Sequence, residues 1–181
     1  MKISVIFSLS LALLGIFILS HPLDSENEFR TYLQRSAPFV GTDIPRIDGI
    51  DGSGIKIAVI DTGVDFNHPD LFGWGESGKV IGGFNFIHEG KPPLDTNGHG
   101  TQVAGVIAAD GQITGIAPKA KILAYKVSEN GEGVSSDLII RAIEKAIDDE
   151  ADIINISLGV NKTNSKIERA VNLALEKEIF V

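Results

Sequence analysis

The stretch IKIAVIDTG at residues 55–63 decides the fold. Its first six residues are apolar except for Lys56, and the run ends in a turn-forming Asp-Thr-Gly. A short apolar run closed by a turn predicts a buried β-strand. The strand ends at Asp61, and a buried carboxylate is unfavourable unless partner groups surround it. The stretch therefore predicts a strand that carries an acidic side chain to the edge of a sheet.

Further along the chain, short apolar runs alternate with helical patterns. Strands are predicted near residues 80–86, 121–127 and 152–158, with the start of another at 178–181. Helices are predicted between them, near residues 99–109 and 137–149 and from 165 onward. Strands separated by helices imply an α/β fold of three layers, a mostly parallel sheet with helices on both faces. In such sheets ligands bind at the carboxyl ends of the strands, where Asp61 lies.

Local signals refine the two later helices. Ser136 is predicted to cap the helix at 137–149. Ser165-Lys166-Ile167-Glu168 has the form of a capping box at the start of the last helix. The residues of that helix predicted to face the core are Ile167, Ala170, Val171, Ala174 and Leu175.

The composition excludes several classes of protein. The net charge is −8, so a sequence-independent nucleic-acid binder, which needs a basic surface, is not expected. The chain has no cysteine, which excludes a disulfide framework, a thiolate nucleophile and a cysteine-based zinc site. With 181 residues, 43% of them hydrophobic, the chain is large enough for one domain with a sizeable core.

The first twenty residues differ from the rest of the chain. Lys2 precedes an almost wholly apolar run at residues 3–19, and Ser20 is small enough to precede a cleavage point. This pattern predicts a signal peptide over residues 1–20 and therefore a secreted protein. A retained membrane anchor over residues 3–19 stays an alternative, because the run is near the short end of a membrane span. Residues 21–49 are predicted to form a leader or arm, followed by a domain at 50–181.

Three segments contain the residues that matter for function. Asp61 ends the first predicted strand, His99 begins a glycine-flanked helix, and Ser157 ends the fourth strand. Each of them alone has an ordinary structural explanation as a turn residue, a hydrogen-bonded histidine or a strand end. Their order along the chain is what makes them informative.

In this order the segments resemble the subtilase family, the subtilisin-like serine proteases. The matching blocks are VIDTGVD (59–65), HPDL (68–71), HGT (99–101), VAG (103–105), GIAPKA (115–120) and the strand at 152–159. The resemblance covers roughly residues 50–181 and corresponds to the N-terminal part of the peptidase domain. The resemblance therefore implies a subtilisin-like fold that is incomplete at its C-terminal end.

The resemblance implies an Asp-His-Ser mechanism. His99 would accept a proton from a serine hydroxyl and return it to the leaving amine, while Asp61 would hold the imidazole in the required tautomer. The resemblance also implies two segments that bind the polypeptide substrate. One is Gly131, Glu132 and Gly133, which would pair with the substrate like a strand. The other is Ser157, Leu158 and Gly159, which would form a wall of the main specificity pocket.

The chain departs from the family pattern at the nucleophile. The 181 residues contain no Gly-Thr-Ser segment, which bears the family's serine, and the oxyanion-hole asparagine is also missing. A triad without its nucleophile loses nearly all of its special catalysis. We therefore expect a truncated endopeptidase, inactive by itself, that a C-terminal chain would complete.

No cofactor or metal is expected from the sequence. The stretch 110–114 is shorter than the loop that wraps calcium in the bacterial subtilisins, and calcium at Asp70 stays an open alternative. The glycine-rich residues 73–79 imitate a nucleotide-binding pattern, but they precede a predicted strand instead of following one. Neither a nucleotide nor a nucleic acid is therefore expected as a partner.

Two functions stay open at this point. The first is a secreted serine endopeptidase, and the second is a non-catalytic subtilase-like module that binds peptides. The sequence ends inside the apolar run at 179–181. A dedicated binding module is not expected to leave a sheet edge open in this way, which favours the first function.

Overall fold

The computed structural model describes residue 37, residues 49–159 and residues 164–181. The predicted signal peptide at 1–20 and nearly all of the predicted leader at 21–49 lie outside these residues. From residue 49 onward, the described residues belong to one unit, which comprises residues 41–181. Within the described part of the chain, no helix combines the length and the apolar character that crossing a membrane requires.

Strands and helices alternate along the described chain as the hydrophobic pattern predicts. Their bounds are β1 Lys56–Asp61, a 3₁₀ turn Pro69–Leu71, β2 Val80–Asn85, α1 His99–Ala108, β3 Lys121–Lys126, α2 Ser136–Asp148, β4 Ile153–Ile156 and α3 Ser165–Glu176. After α3, Phe180 forms a single parallel bridge with Ile153. The strand predicted at 178–181 is therefore present only as one bridging residue.

The four strands of the described residues form one parallel sheet in the order β2-β3-β1-β4. β1 is central, and its register places Asp61 opposite Lys126 of β3 and Ile60 opposite Ile156 of β4. Because the strands are parallel, their carboxyl ends share one edge of the sheet. Asp61 therefore lies between Lys126 and the residues that follow β4.

Alternation along the strands sends side chains into two separate cores. The α1 core includes Ile57, Val59, Ile122, Ala124, Ala104 and Ala108. The α2–α3 core includes Ala58, Ile60, Leu123, Tyr125, Ile139, Ile143, Ala170 and Ala174. Helices thus cover both faces of the sheet, which confirms the predicted three-layer α/β fold.

Both predicted helix caps are wrong by one residue. The Ser135 Oγ caps α2 by accepting a hydrogen bond from the Asp137 N–H at 3.3 Å, so Ser136 is already helical. At the start of α3, the cap is Asn164, and Ser165 is likewise inside the helix. In each case two neighbouring residues are good cap formers, and the sequence does not say which one adopts the extended conformation that a cap requires.

The predicted inner face of α3 is correct except at its last position. Ala170 and Ala174 are buried, whereas Leu175 is 51% exposed. Leu175 lies at the margin of the apolar stripe of α3, whereas Ala170 and Ala174 pack in the α2–α3 core. The prediction that Leu175 faces the core is therefore wrong.

Candidate active site

Asp61 lies at the carboxyl end of β1 and is fully buried. Its Oδ1 accepts a hydrogen bond from the Thr62 N–H at 2.7 Å. The turn that follows requires Gly63, whose φ is +104° and whose Cβ, if present, would lie 2.5 Å from the Pro93 carbonyl oxygen. The Asp-Thr-Gly sequence therefore makes a close turn that a larger residue could not complete.

His99 is the first residue of α1. The preceding Gly98 has a φ of +106°, a conformation that favours glycine. The Nδ1 atom of His99 lies 2.7 Å from Asp61 Oδ1. The His99 side chain is 47% exposed, and its bond to Asp61 uses only one of the two ring nitrogens.

Gly100 allows α1 to approach β1 closely enough for this contact. A Cβ at Gly100 would lie 2.1 Å from the Gly63 carbonyl oxygen and 3.1 Å from the Asp61 Cβ. The Gly100 N–H donates a hydrogen bond to Thr62 Oγ1 at 2.9 Å. The start of the helix and the end of the strand are therefore in direct contact beside the Asp61–His99 pair.

The surroundings of Asp61 favour a positive charge on its partner. Burial raises the pKa of the Asp61 carboxyl, while the hydrogen bonds from His99 and Thr62 act in the opposite direction. Its Oδ2 is buried and has no hydrogen-bond partner among the described residues. A carboxylate in this state is stabilised by a neighbouring cation, so the pair is suited to hold a proton that arrives on His99.

Lys126 is a neighbour of the site that the sequence did not single out. Its side chain is 2% exposed and lies 3.0 Å from Glu129 Oε2. The Lys126 Nζ donates to the Thr62 carbonyl oxygen at 2.8 Å, which fixes the turn after Asp61. Its hydrogen bond also lowers the pKa of Glu129. No sequence signal reveals this role, because a lysine at a strand end is expected to reach solvent.

The segment Gly131-Glu132-Gly133 lies in the loop after β3, at the same edge of the sheet. Its first glycine has a φ of +79° and its last a φ of +62°. A Cβ on the first glycine would lie 3.7 Å from Thr62 Cγ2, so the loop passes beside the Asp61 turn. The N–H groups of the first two residues donate within the loop, to Ser128 Oγ at 2.9 Å and Asn130 Oδ1 at 3.1 Å.

The segment Ser157-Leu158-Gly159 follows β4 directly. Since Ile156 pairs with Ile60, the segment begins beside Asp61. The Ser157 Oγ accepts a hydrogen bond from Asn155 Nδ2 at 2.9 Å, and the following leucine packs against the α2–α3 core. Both sequence-implied binding segments thus border the strand end that carries Asp61.

Asp70 is buried, and its carboxylate organises the loop at 110–114. Its Oδ1 accepts from the Gln112 N–H at 2.8 Å, and its Oδ2 accepts from the Ile113 N–H at 3.0 Å. No group of three or more histidine, cysteine or acidic side chains in the described ranges is placed to hold a metal ion. The Asp70 carboxylate therefore has a structural role in this loop.

The Asp61–His99 pair has the geometry by which serine hydrolases activate a hydroxyl group. A buried carboxylate bonds one ring nitrogen of a half-exposed histidine at the carboxyl edge of a parallel sheet. Residues 52–181 match the family model described as the Subtilase family. The chain belongs to the subtilase family of serine proteases.

Curated relatives of the chain are proteases from bacteria. Thermitase from Thermoactinomyces vulgaris is 43% identical over 134 residues, which cover 72% of this chain and 46% of thermitase. The major intracellular serine protease of Bacillus subtilis is 42% identical over 142 residues, 74% of this chain and 43% of that protein. The minor extracellular protease Vpr of Bacillus subtilis is 38% identical over 152 residues, 77% of this chain and 18% of Vpr. The chain therefore spans less than half the length of these relatives.

Proposed function

We propose that residues 50–181 supply the aspartate and histidine of a secreted serine endopeptidase. The observation that carries the proposal is the 2.7 Å contact between Asp61 Oδ1 and His99 Nδ1. The serine and the oxyanion asparagine would come from polypeptide outside the 181 residues, which contain no Gly-Thr-Ser segment. This makes the 181-residue chain inactive by itself.

In the proposed reaction, His99 acts as general base and then as general acid. Its Nε2 takes the proton of the serine hydroxyl as the serine oxygen attacks the carbonyl carbon of a peptide bond. The same nitrogen then protonates the leaving amine, and water hydrolyses the acyl-enzyme by the reverse sequence of proton transfers. Asp61 holds Nδ1 protonated and stabilises the imidazolium that forms at each step.

The polypeptide substrate would bind along the two segments that border Asp61. The loop at 131–133 would pair with it like an added strand. The N–H groups of Gly131 and Glu132 are already bonded within the loop, so the peptide would pair with the loop's other backbone groups. Residues 157–159 would form one wall of the pocket for the side chain before the cleaved bond.

Export would depend on residues 1–20, whose charge and apolar pattern is that of a signal peptide. The relatives include both an extracellular and an intracellular protease, so the N-terminal pattern is the stronger support for secretion. Recovery of the protein from the culture medium with a new N-terminus near residue 21 is the expected result. Recovery in the membrane fraction with residues 1–20 intact would favour the anchor instead.

The catalytic proposal is tested on the native protein, purified from source cells with antibodies against residues 50–181. A fluorophosphonate probe, which reacts with activated serines, should label the protein or a chain that copurifies with it. His99→Ala should abolish labelling and reduce casein hydrolysis by about 10⁶-fold, because a triad functions as a unit. The readouts are in-gel fluorescence and the rate of peptide release.

His88→Ala is the matched control. His88 is also an exposed histidine, but its ion-pair partner is Glu129 instead of Asp61. This variant should keep labelling and hydrolysis close to the wild-type level. Labelling that survives His99→Ala would contradict the role of His99. Peptide binding without any labelling would instead favour the non-catalytic module, which the absence of Gly-Thr-Ser from the 181 residues also permits.

A further inference from the structure

Asp95 is a buried carboxylate that hydrogen-bonds residues beside both Asp61 and His99. Its Oδ1 accepts from the N–H groups of Asn97 at 2.9 Å and Gly98 at 3.0 Å, just before His99. Its Oδ2 accepts from Thr101, at 2.9 Å from the N–H and 2.6 Å from the hydroxyl, just after His99. The carboxylate therefore holds the chain on both sides of His99.

The same carboxylate reaches the turn that contains Asp61. The Thr62 hydroxyl donates to Asp95 Oδ1 at 3.0 Å and accepts from the Gly100 N–H at 2.9 Å. The Thr101 hydroxyl, in addition to donating to Asp95, accepts from the Asp65 N–H at 2.9 Å. Two threonine hydroxyls thus join one carboxylate to the turn on one side and the helix start on the other.

We propose that Asp95 is a positioning residue that holds the Asp61 turn and the His99 helix start in one fixed arrangement. The inference rests on the proposed function of the Asp61–His99 pair. A catalytic pair must be kept within a fraction of an ångström of its productive geometry, and groups behind it usually provide this precision. Asp95 does so because its two oxygens collect donors from both segments.

The charge of Asp95 fits this role. Burial by itself would raise the pKa of Asp95, but the hydrogen bonds from Thr101, Gly98 and Asn97 outweigh it and hold the pKa below its ordinary value. The carboxylate is therefore ionised at neutral pH, and ionised acceptors make the stronger hydrogen bonds. An amide in its place would present an NH₂ group to donors that need an acceptor.

The test measures the tautomer of His99 by long-range ¹⁵N–¹H NMR of the labelled 181-residue chain, above the pH at which histidine is protonated. His99→Gln assigns the signal among the four histidines. In the wild type we expect the Nδ1–H tautomer, because Asp61 accepts that proton. In Asp95→Asn, the Nδ1–H tautomer of His99 should be replaced by the Nε2–H tautomer that free histidine prefers. A role of Asp95 in stability alone would leave the tautomer unchanged.

Two substitutions of Thr101 and a control substitution of Asp70 keep the test decisive if Asp95→Asn does not fold. Thr101→Val removes the hydroxyl that bonds Asp95 and should shift the tautomer, whereas Thr101→Ser keeps the hydroxyl and should preserve it. Asp70→Asn alters a buried carboxylate that also accepts backbone N–H bonds, but on the 110–114 loop, and should leave His99 unchanged.

The possible results separate the two proposals. A wild-type tautomer in Thr101→Val would overturn the role of Asp95, as would an equal shift in Asp70→Asn. A wild-type His99 that already shows the mixture of free histidine would contradict the Asp61–His99 pair itself, and with it the proposed function.

Discussion

The two faces of the sheet are packed by different kinds of side chain. On one face, α1 contributes the small buried residues Gly100, Ala104 and Ala108. On the other face, α2 contributes the bulkier Ile139 and Ile143 among its buried residues. Small residues let a helix come closer to the surface on which it packs, and bulky ones bury more apolar area. The first face is therefore built for close approach and the second for stability.

The polar content of the two faces follows the same division. The buried acidic side chains among the described residues are Asp61, Asp70 and Asp95. Each of them hydrogen-bonds α1 or the loop that follows α1. Buried carboxylates need many partners and leave little net stabilisation. The α1 face thus accepts a cost in stability for the position of its Asp61–His99 pair, while the α2–α3 face offsets that cost.

The largest effect on stability is expected from Ile143→Ala, on the face away from the site. Ile143 is fully buried in the α2–α3 core, and its truncation should lower the free energy of unfolding by about 2–5 kcal/mol. Urea titration followed by circular dichroism measures the loss. Because the α1 face is packed separately, the His99 tautomer of the folded variant should stay as in the wild type. A changed tautomer would show that the two faces are coupled.

A smaller loss of stability but a direct effect on the site is expected from Gly100→Ala. The added methyl group would meet the Gly63 carbonyl oxygen, and overpacking of this kind costs about 1–3 kcal/mol. Relief of the clash moves α1 away from β1, so the His99 Nδ1–H signal should be lost.

Gly105→Ala is the matched control on the same helix. A Cβ there has open space within 4 Å, so the change should stabilise the chain by about 0.5–1 kcal/mol through helix propensity. The same urea titration and NMR spectra apply to both variants. A stable Gly100→Ala variant with an unchanged His99 signal would refute the need for close approach at this helix.

The smallest effect concerns the pH dependence of stability, which should come mainly from the α1 face. Asp95 has a lowered folded pKa, so its contribution is present above the ordinary aspartate pKa and is lost as pH falls through the folded value. Asp61 has a raised folded pKa, so stability decreases as pH rises through that value.

The corresponding asparagine variants separate the two carboxylates. Urea titrations from pH 3 to pH 7 should show a flatter acid limb for Asp95→Asn, because the group that binds protons on unfolding is gone. Asp61→Asn should instead gain stability near neutral pH relative to the wild type. Equal slopes in the wild type and both variants would mean that the acid response arises elsewhere.

Most of the fold was readable from the sequence because its signals are local. The apolar run that ends at Asp61, and the small residues of the helix after His99, each predict their element without help from the rest of the chain. The errors at Ser136 and Ser165 come from adjacent residues with similar cap preference. The error at Leu175 comes from the rotation of α3 on its neighbours, which only tertiary packing determines.

The site residues could be predicted where the chain contains a motif of the family. They could not be predicted where residues distant in the sequence come together in the fold. Asp61 and His99 belong to such motifs, and the structure places them in contact. The lysine at the end of β3 reads as a solvent-exposed residue, yet it is buried against the Thr62 carbonyl oxygen. Asp95 lies 33 positions after Thr62, and no periodic pattern links a carboxylate to a hydroxyl over that separation.

The sequence contains a single tryptophan, so tryptophan fluorescence reports on only one of the two faces of the sheet. Trp74 is 41% exposed, and its ring lies with its centroid 5.0 Å from that of Phe66, which packs against the α1 core. Tryptophan emission therefore reports on the face that carries the site, and the α2–α3 face is silent at the same wavelength. Fluorescence and circular dichroism recorded on one sample would distinguish loosening around the Asp61–His99 pair from unfolding of the whole sheet.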